Sequence, residues 1–183
     1  MDRIEYQFLL RANNEYGLWA VHECSSYGCI ADVLGVHPHK KEVYEFEFKR
    51  SSEDLKVAEK KKWKYTCEKM QRQWHPKYPK QGLTEFNFSR VMPKPHKFYY
   101  VMPLELWEKE KDYLKQDKYA GVIIWRPWER HPDLIEFVSV KNTKKRESNT
   151  QKYEVVLRDI AARATNVIVY DVLKQQFKEE PKA

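Results

Sequence analysis

The stretch IADVLGVHPHKKEVYEFEFKRS, residues 30–51, decides how this chain is read. Ile30 to Val36 is a strand-like run after Gly28, and His37-Pro38-His39-Lys40 supplies a turn. Glu42 to Lys49 is a strand by strict alternation, with Tyr44, Phe46 and Phe48 interleaved with Glu45, Glu47 and Lys49. Paired as a hairpin, the two runs send three rings into a core and bring Asp32 near a polar face that carries Glu45, Glu47 and Lys49. Two carboxylates beside a lysine suit hydrolysis of a phosphodiester. Hard oxygen ligands hold Mg²⁺ or Mn²⁺, the ion lowers the pKa of a bound water, and an ammonium supports charge on the phosphorane. The same alternation also describes an edge strand whose charged solvent face discourages aggregation. An acid-x-Lys triplet is itself unspecific, since Asp54-x-Lys56 and Glu59-x-Lys61 repeat it. Residue pattern alone leaves both readings open.

Outward from this hairpin, Leu18 to Cys24 reads as a preceding strand bounded by Gly17. Downstream, Ser51 and Ser52 are N-cap candidates, and Glu53 and Asp54 suit the first turn of a helix. Leu55, Ala58, Trp63, Thr66, Met70 and Trp74 recur at helical spacing as far as Pro76, leaving Lys56, Lys60, Lys61, Lys62, Lys64, Lys69 and Arg72 on the other faces. Residues 75–96 contain Pro76, Pro79, Pro93 and Pro95 and read as an insertion, with a short strand near Phe86 and Phe88. Then follow a strand from His96 to Met102, a helix from Leu104 to Gln116, and strands over Gly121–Arg126 and Leu134–Val140. Lys141 to Lys152 is a solvated loop, and Tyr153, Val156, Ile160, Ala164, Val167 and Leu173 mark a C-terminal helix. The expected organisation is one domain over residues 1–140, with 141–183 a linker and helix packed on it.

At 183 residues, with 42% hydrophobic residues and 26 aromatic rings, the chain can bury a core of its own. No apolar run approaches the ~18–20 residues of a membrane span, so no membrane partner is expected. MDRIEYQFLL carries early charges with no secretory apolar region after it, and three irregularly spaced cysteines suit a reducing, cytoplasmic setting. Of the net charge of +7, residues 1–100 hold 18 basic and 13 acidic side chains, much of the excess on the helix after the acidic strand. That placement suits attraction of a phosphate backbone. Trp63 and Trp74 more simply pack in the core than stack on bases. Zinc is the competing metal chemistry, but Cys24, Cys29, His37 and His39 give C-x₄-C and H-x-H, not a tetrahedral spacing. No glycine-rich phosphate loop or local nucleophile signature is present.

The order Asp, hairpin, Glu-x-Lys, helix resembles the PD-(D/E)XK nuclease superfamily. More closely, Trp19 to Met102 resembles the MmcB-like family of DNA-repair-associated candidate nucleases. The resemblance is carried by Trp19-Ala20-Val21-His22-Glu23, Ala31-Asp32-Val33-Leu34 and the run from Glu47 to Asp54. Lys62-Trp63-Lys64-Tyr65 and the run from Lys97 to Pro103 add to it. It implies a restriction-endonuclease-like α/β fold, a mixed sheet flanked by helices with an α-β-β-β-α-β core, here with an extra C-terminal helix. It implies that Asp32 and Glu47 hold Mg²⁺ or Mn²⁺, that Lys49 orients or activates water, and that Glu23 adds a carboxylate. Arg50, Lys56, Lys60, Lys61 and Lys64 would meet the nucleic acid, while Asp54, Lys62, Trp63 and Tyr65 match a motif of positional or substrate-facing role. Ala31 stands where a proline is usual, and Tyr27 to Ile30 replaces a small basic run. The expected activity is metal-dependent hydrolysis of nucleic acid, DNA ahead of RNA, in DNA repair or defence-related processing, with a protein partner or homodimer left open. The alternative is a catalytically silent nuclease-like binding module, either a nucleic-acid binder or a phage or mobile-element inhibitor of a host defence complex.

Overall fold

Tyr44, Phe46 and Phe48 do enter a core, and the helix that meets them is the first in the chain. The computed structural model describes residues 1–26, 29–55, 94–147 and 150–176. Helix α1 (Arg3–Asn14) starts at a capping box: the Asp2 carboxylate accepts from the Glu5 N–H, and Glu5 returns to the Asp2 N–H. The spacing of Phe8 and Ala12 aims both at the sheet, where the Phe8 ring meets Phe46 at 4.9 Å, Phe137 at 5.2 Å and Phe48 at 5.5 Å, all edge-on.

The sheet has six strands in sequential order: β1 (Trp19–Ser26), β2 (Cys29–His37), β3 (Glu42–Phe48), β4 (Lys97–Pro103), β5 (Gly121–Trp128) and β6 (His131–Lys141). β1, β2 and β3 pair antiparallel, β3–β4 and β4–β5 parallel, and β5–β6 antiparallel. The parallel β4–β5 step is bridged by helix α2 (Leu104–Lys115), as a parallel crossover requires. α2 covers Phe98, Tyr100, Met102, Val122 and Ile124 on the sheet face away from α1. On that same face, helix α3 (Tyr153–Gln176) lays Val156 and Ile160 on Leu34, Val36 and Val43. The result is a mixed α/β fold with helices on both faces of the sheet, as expected.

Of the two readings left open for β3, the solvent-facing edge strand is excluded. β3 is an interior strand, third of six, and its charged residues face no solvent: Glu45 is 1%, Glu47 2% and Lys49 6% exposed. They lie opposite the rings, where register sets Glu45 between Leu34 and Phe98 and pairs Glu47 with Tyr100. Alternation tells which side chains share a face, not whether another layer covers it. The basic helix over Lys56–Arg72 and the short strand near Phe86 and Phe88 lie outside the described residues. Residues 52–55, within the described residues, are helical, and the Ser51 hydroxyl accepts from the Asp54 N–H at 3.1 Å, the cap expected.

Candidate active site

The β2–β3 ladder ends at the pair Val33–Phe46, and what happens beyond that pair builds the site. In β1, Ala20 faces α1 while Cys24 faces α3, and in β2 Val33 faces α1 while Ala31 faces α3. Residues of equal parity thus lie on opposite faces, so both strands invert their pleat between these positions. The inversion falls at Glu23 and Asp32, opposite each other between the pairs His22–Val33 and Cys24–Ala31. Glu23 takes φ +49°, the left-handed region uncommon outside glycine. With the pleat reversed, the half-buried Asp32 turns its Oδ2 to the Phe48 N–H at 2.7 Å. A side-chain carboxylate thereby takes the donor of the peptide joining Glu47 to Phe48.

Around that peptide the remaining charges form a chain. Lys49 Nζ lies 3.6 Å from Glu47 Oε2 and 3.4 Å from Asp54 Oδ1, while its own N–H is held by Val101 O at 2.9 Å. Asp54 Oδ2 accepts from the Arg50 N–H at 3.0 Å, tying the residue after the strand to the first turn of the next helix. The Arg50 guanidinium pairs with Asp2, and with Glu5 at 3.3 Å. Glu5 Oε2 in turn lies 3.0 Å from His22 Nε2.

Asp32, Glu47, Lys49 and Asp54 are therefore brought to one end of β3. Glu23 is not drawn in by its carboxylate: it is 61% exposed and pairs with Arg163 of α3 at 3.7 Å, and Arg163 also donates to His22 O at 3.2 Å. Arg50 is engaged by two carboxylates of α1 rather than presented bare. Lys56, Lys60, Lys61, Lys64, Lys62, Trp63 and Tyr65 lie outside the described residues. The competing zinc set is not assembled. Cys24 pairs with Ala31 near one end of the hairpin, and His37 with Glu42 at the other, ~20 Å of extended strand away. Burial, helped by Asp159 and opposed by Arg163, pushes the Cys24 thiol up to about 11.

No family model and no curated protein matches the chain. In fold, it is similar to SPO1766, a protein of unknown function from Silicibacter pomeroyi. The two superpose with a TM-score of 0.52 over 90% of this chain and 84% of the other, at 15% identity. That likeness shows the fold alone.

Among the described residues no three His, Cys, Asp or Glu side chains converge as a metal cage. Two strand carboxylates lie at this end of β3: Asp32, whose Oδ2 is committed to the Phe48 N–H, and Glu47, whose Oε2 faces Lys49. Such a set fits a hard cation that keeps several waters and takes one or two carboxylates plus substrate phosphate. Residue order does not disclose Glu5, Asp2 or His22 as members of the charged chain, since all lie on elements distant in sequence. Asp54 carried a faint signal, as an acid three residues beyond a serine cap. Among the described residues no helix is long and apolar enough to cross a membrane.

Proposed function

We propose that the chain is a divalent-metal-dependent nuclease acting on DNA ahead of RNA, with its site at the end of β3. The observation that carries the reading is the Glu47–Lys49 ion pair, 2% and 6% exposed, flanking a peptide whose N–H is held by Asp32. Burying two charges is unfavourable unless they are paired and hydrogen-bonded, and a purely structural core holds apolar residues there at less cost. When bound, Mg²⁺ or Mn²⁺ would supply an acidified water and neutralise charge on the scissile phosphate. Asp32 and Glu47 are the residues that would hold it. Lys49 orients the attacking water and faces the charge that develops on the phosphate, while Asp54 fixes the lysine's position from its far side. The pathway proposed is DNA repair or defence-related processing.

The test is cleavage of single- and double-stranded DNA and of RNA with Mg²⁺ or Mn²⁺ present. Glu47→Gln and Lys49→Met should each lower the rate by roughly 10²–10⁴, the scale of a positioned acid, base or charge stabiliser. Cleavage at the wild-type rate by either folded variant sinks the assignment.

One observation favours a second reading, a catalytically silent binding module. The Lys49 ammonium sits between two carboxylates, Glu47 and Asp54, as a purely structural cation would. Under that reading any DNA affinity is salt-dependent and unchanged by chelation. Calorimetry then finds no Mn²⁺ bound to wild type or to Asp32→Ala.

A further inference from the structure

A cavity of about 320 Å³ opens on the α1 face of the sheet, at the start of β3 and β4 and so at the end opposite the carboxylate site. From Tyr44 to Lys49 is ~17 Å of extended strand, so the cavity is a separate place whose chemistry depends on its own lining and not on the nuclease reading.

Its wall is aromatic and ordered. Tyr44 and Phe46 stack at 6.3 Å and 20°, and Phe46 and Tyr99 at 5.5 Å and 15°, so three rings present nearly parallel planes. Tyr16, at the end of α1, adds a fourth ring. The Tyr99 ring keeps its place because Gly121 lies under it: a Cβ there would come within 2.5 Å of two ring carbons.

Two cations complete the lining, Lys40 and Lys97, with no Asp or Glu among the described lining residues. The nearest buried carboxylate, Glu42, is already matched by the Tyr44 hydroxyl at 2.9 Å, Lys145 at 3.0 Å and Lys97 at 3.8 Å. Lys97 lies over the Tyr44 ring at 5.1 Å. Lys40 forms no ion pair among the described residues and stands at the exposed rim.

Parallel rings recognise a planar π system, and lysines recognise a compact anion. Lys40 has no carboxylate partner among the described residues, while Lys97 shares Glu42 with Lys145 and the Tyr44 hydroxyl. The volume falls at the lower end of the ~300–1,000 Å³ of small-molecule sites, room for one ring system and one charged group. We propose that this cavity binds a planar aromatic anion of mononucleotide size, its ring against Tyr16, Tyr44 and Tyr99 and its phosphate on Lys40 and Lys97.

The experiment is calorimetric titration of the full chain, in chelator, with adenosine 5′-monophosphate, adenosine, ribose 5-phosphate and inorganic phosphate. The mononucleotide should saturate the protein, with each fragment binding about tenfold or more weakly. Lys40→Ala should weaken the mononucleotide by about tenfold, the loss of one charge-assisted contact, and leave adenosine unchanged. Tyr16→Leu, which removes the ring but keeps an apolar side chain, should weaken both. Lys97→Met provides a second cation variant and should weaken the mononucleotide at least as much as Lys40→Ala, since it also removes a counter-charge from Glu42. Glu47→Gln should bind like wild type. The proposal is overturned by absence of saturation, by inorganic phosphate binding as tightly as the mononucleotide, or by indifference to Lys40→Ala and Tyr16→Leu. Loss of binding in a folded Glu47→Gln variant overturns it too, because the ligand then sits at the other end of the strand.

Discussion

The Asp32 carboxylate stands where a ladder carbonyl would otherwise stand, accepting the Phe48 N–H at 2.7 Å just after the β2–β3 pairing stops at Val33 and Phe46. One aspartate thereby closes the end of an interior strand and keeps its second oxygen for other work. Its structural and chemical roles are separable by substitution.

Asp32→Asn retains an acceptor for Phe48, whereas Asp32→Ala strands that N–H. Urea denaturation should find the alanine variant weaker by about 1–3 kcal/mol, and the asparagine variant within about 0.5 kcal/mol of wild type. Metal-dependent cleavage should be lost in both. An alanine variant as stable as wild type means the bond does not hold the strand.

The six strands were legible along the chain because alternating apolar residues and turn residues act locally. Their side-by-side order in one sheet, which depends on parallel pairings between strands distant in sequence, was not. The cluster of Asp32, Glu47 and Lys49 was legible, because a hairpin of that spacing brings them to one end. The pleat inversion was not, since Glu23 carries no residue-type signal for φ +49°. Nor was the burial of Glu45 and Glu47, because a charged alternate face reads as solvated until another layer covers it. Arg50 reads as a free cation until α1, more than forty residues earlier, places Asp2 and Glu5 against it.

Glu47 and Lys49 form a buried pair, so removing either partner alone takes a counter-charge from a buried ion. Each single change, Glu47→Gln or Lys49→Met, should destabilise by about 3–5 kcal/mol, and the double variant by clearly less than their sum. Additive losses in a double-mutant cycle count against direct coupling. Asp54, 3.4 Å from the lysine, retains part of the interaction in Glu47→Gln and should make that variant the milder one.

Gly121 makes room for the Tyr99 ring, and an alanine there also approaches Lys141 O to 2.9 Å. A ring can rotate away, but a backbone carbonyl in the β5–β6 ladder cannot move without disturbing the pairing of Val122 with Lys141. Gly121→Ala should therefore destabilise by about 1–3 kcal/mol, the usual range for overpacking, and Tyr99→Ala in the same chain should restore only part of it. Full restoration would assign the whole conflict to the ring.

The start of β3 and β4 gathers three groups whose pKa the fold lowers. His96 Nδ1 accepts the Val43 N–H at 3.1 Å, which requires a neutral ring on that side, and burial lowers its pKa, with Lys145 adding and Glu42 opposing. His37 is lowered as well, by desolvation first and then by Lys40 and His39. Burial alone would raise Glu42, but hydrogen bonds from Lys145 and Tyr44 and the Lys97 charge outweigh it and hold it below its ordinary value. All three groups titrate lower in the folded chain than in the unfolded one. Their contribution is complete above the unfolded pKa and is lost as pH falls through the folded pKa. Unfolding free energy from urea titrations should thus be level from pH ~7 up to the ordinary thiol range near ~8.5, above which the raised Cys24 acts in the other direction. It should begin to fall below the ordinary histidine value of ~6.5, and fall further below the ordinary glutamate value of ~4.3. His96→Gln keeps an acceptor for Val43 without the titration and should flatten the first decline, while Glu42→Gln should flatten the second. If the first decline is unchanged in His96→Gln, it belongs to His37 or elsewhere, and the Val43 hydrogen bond is not what acid breaks.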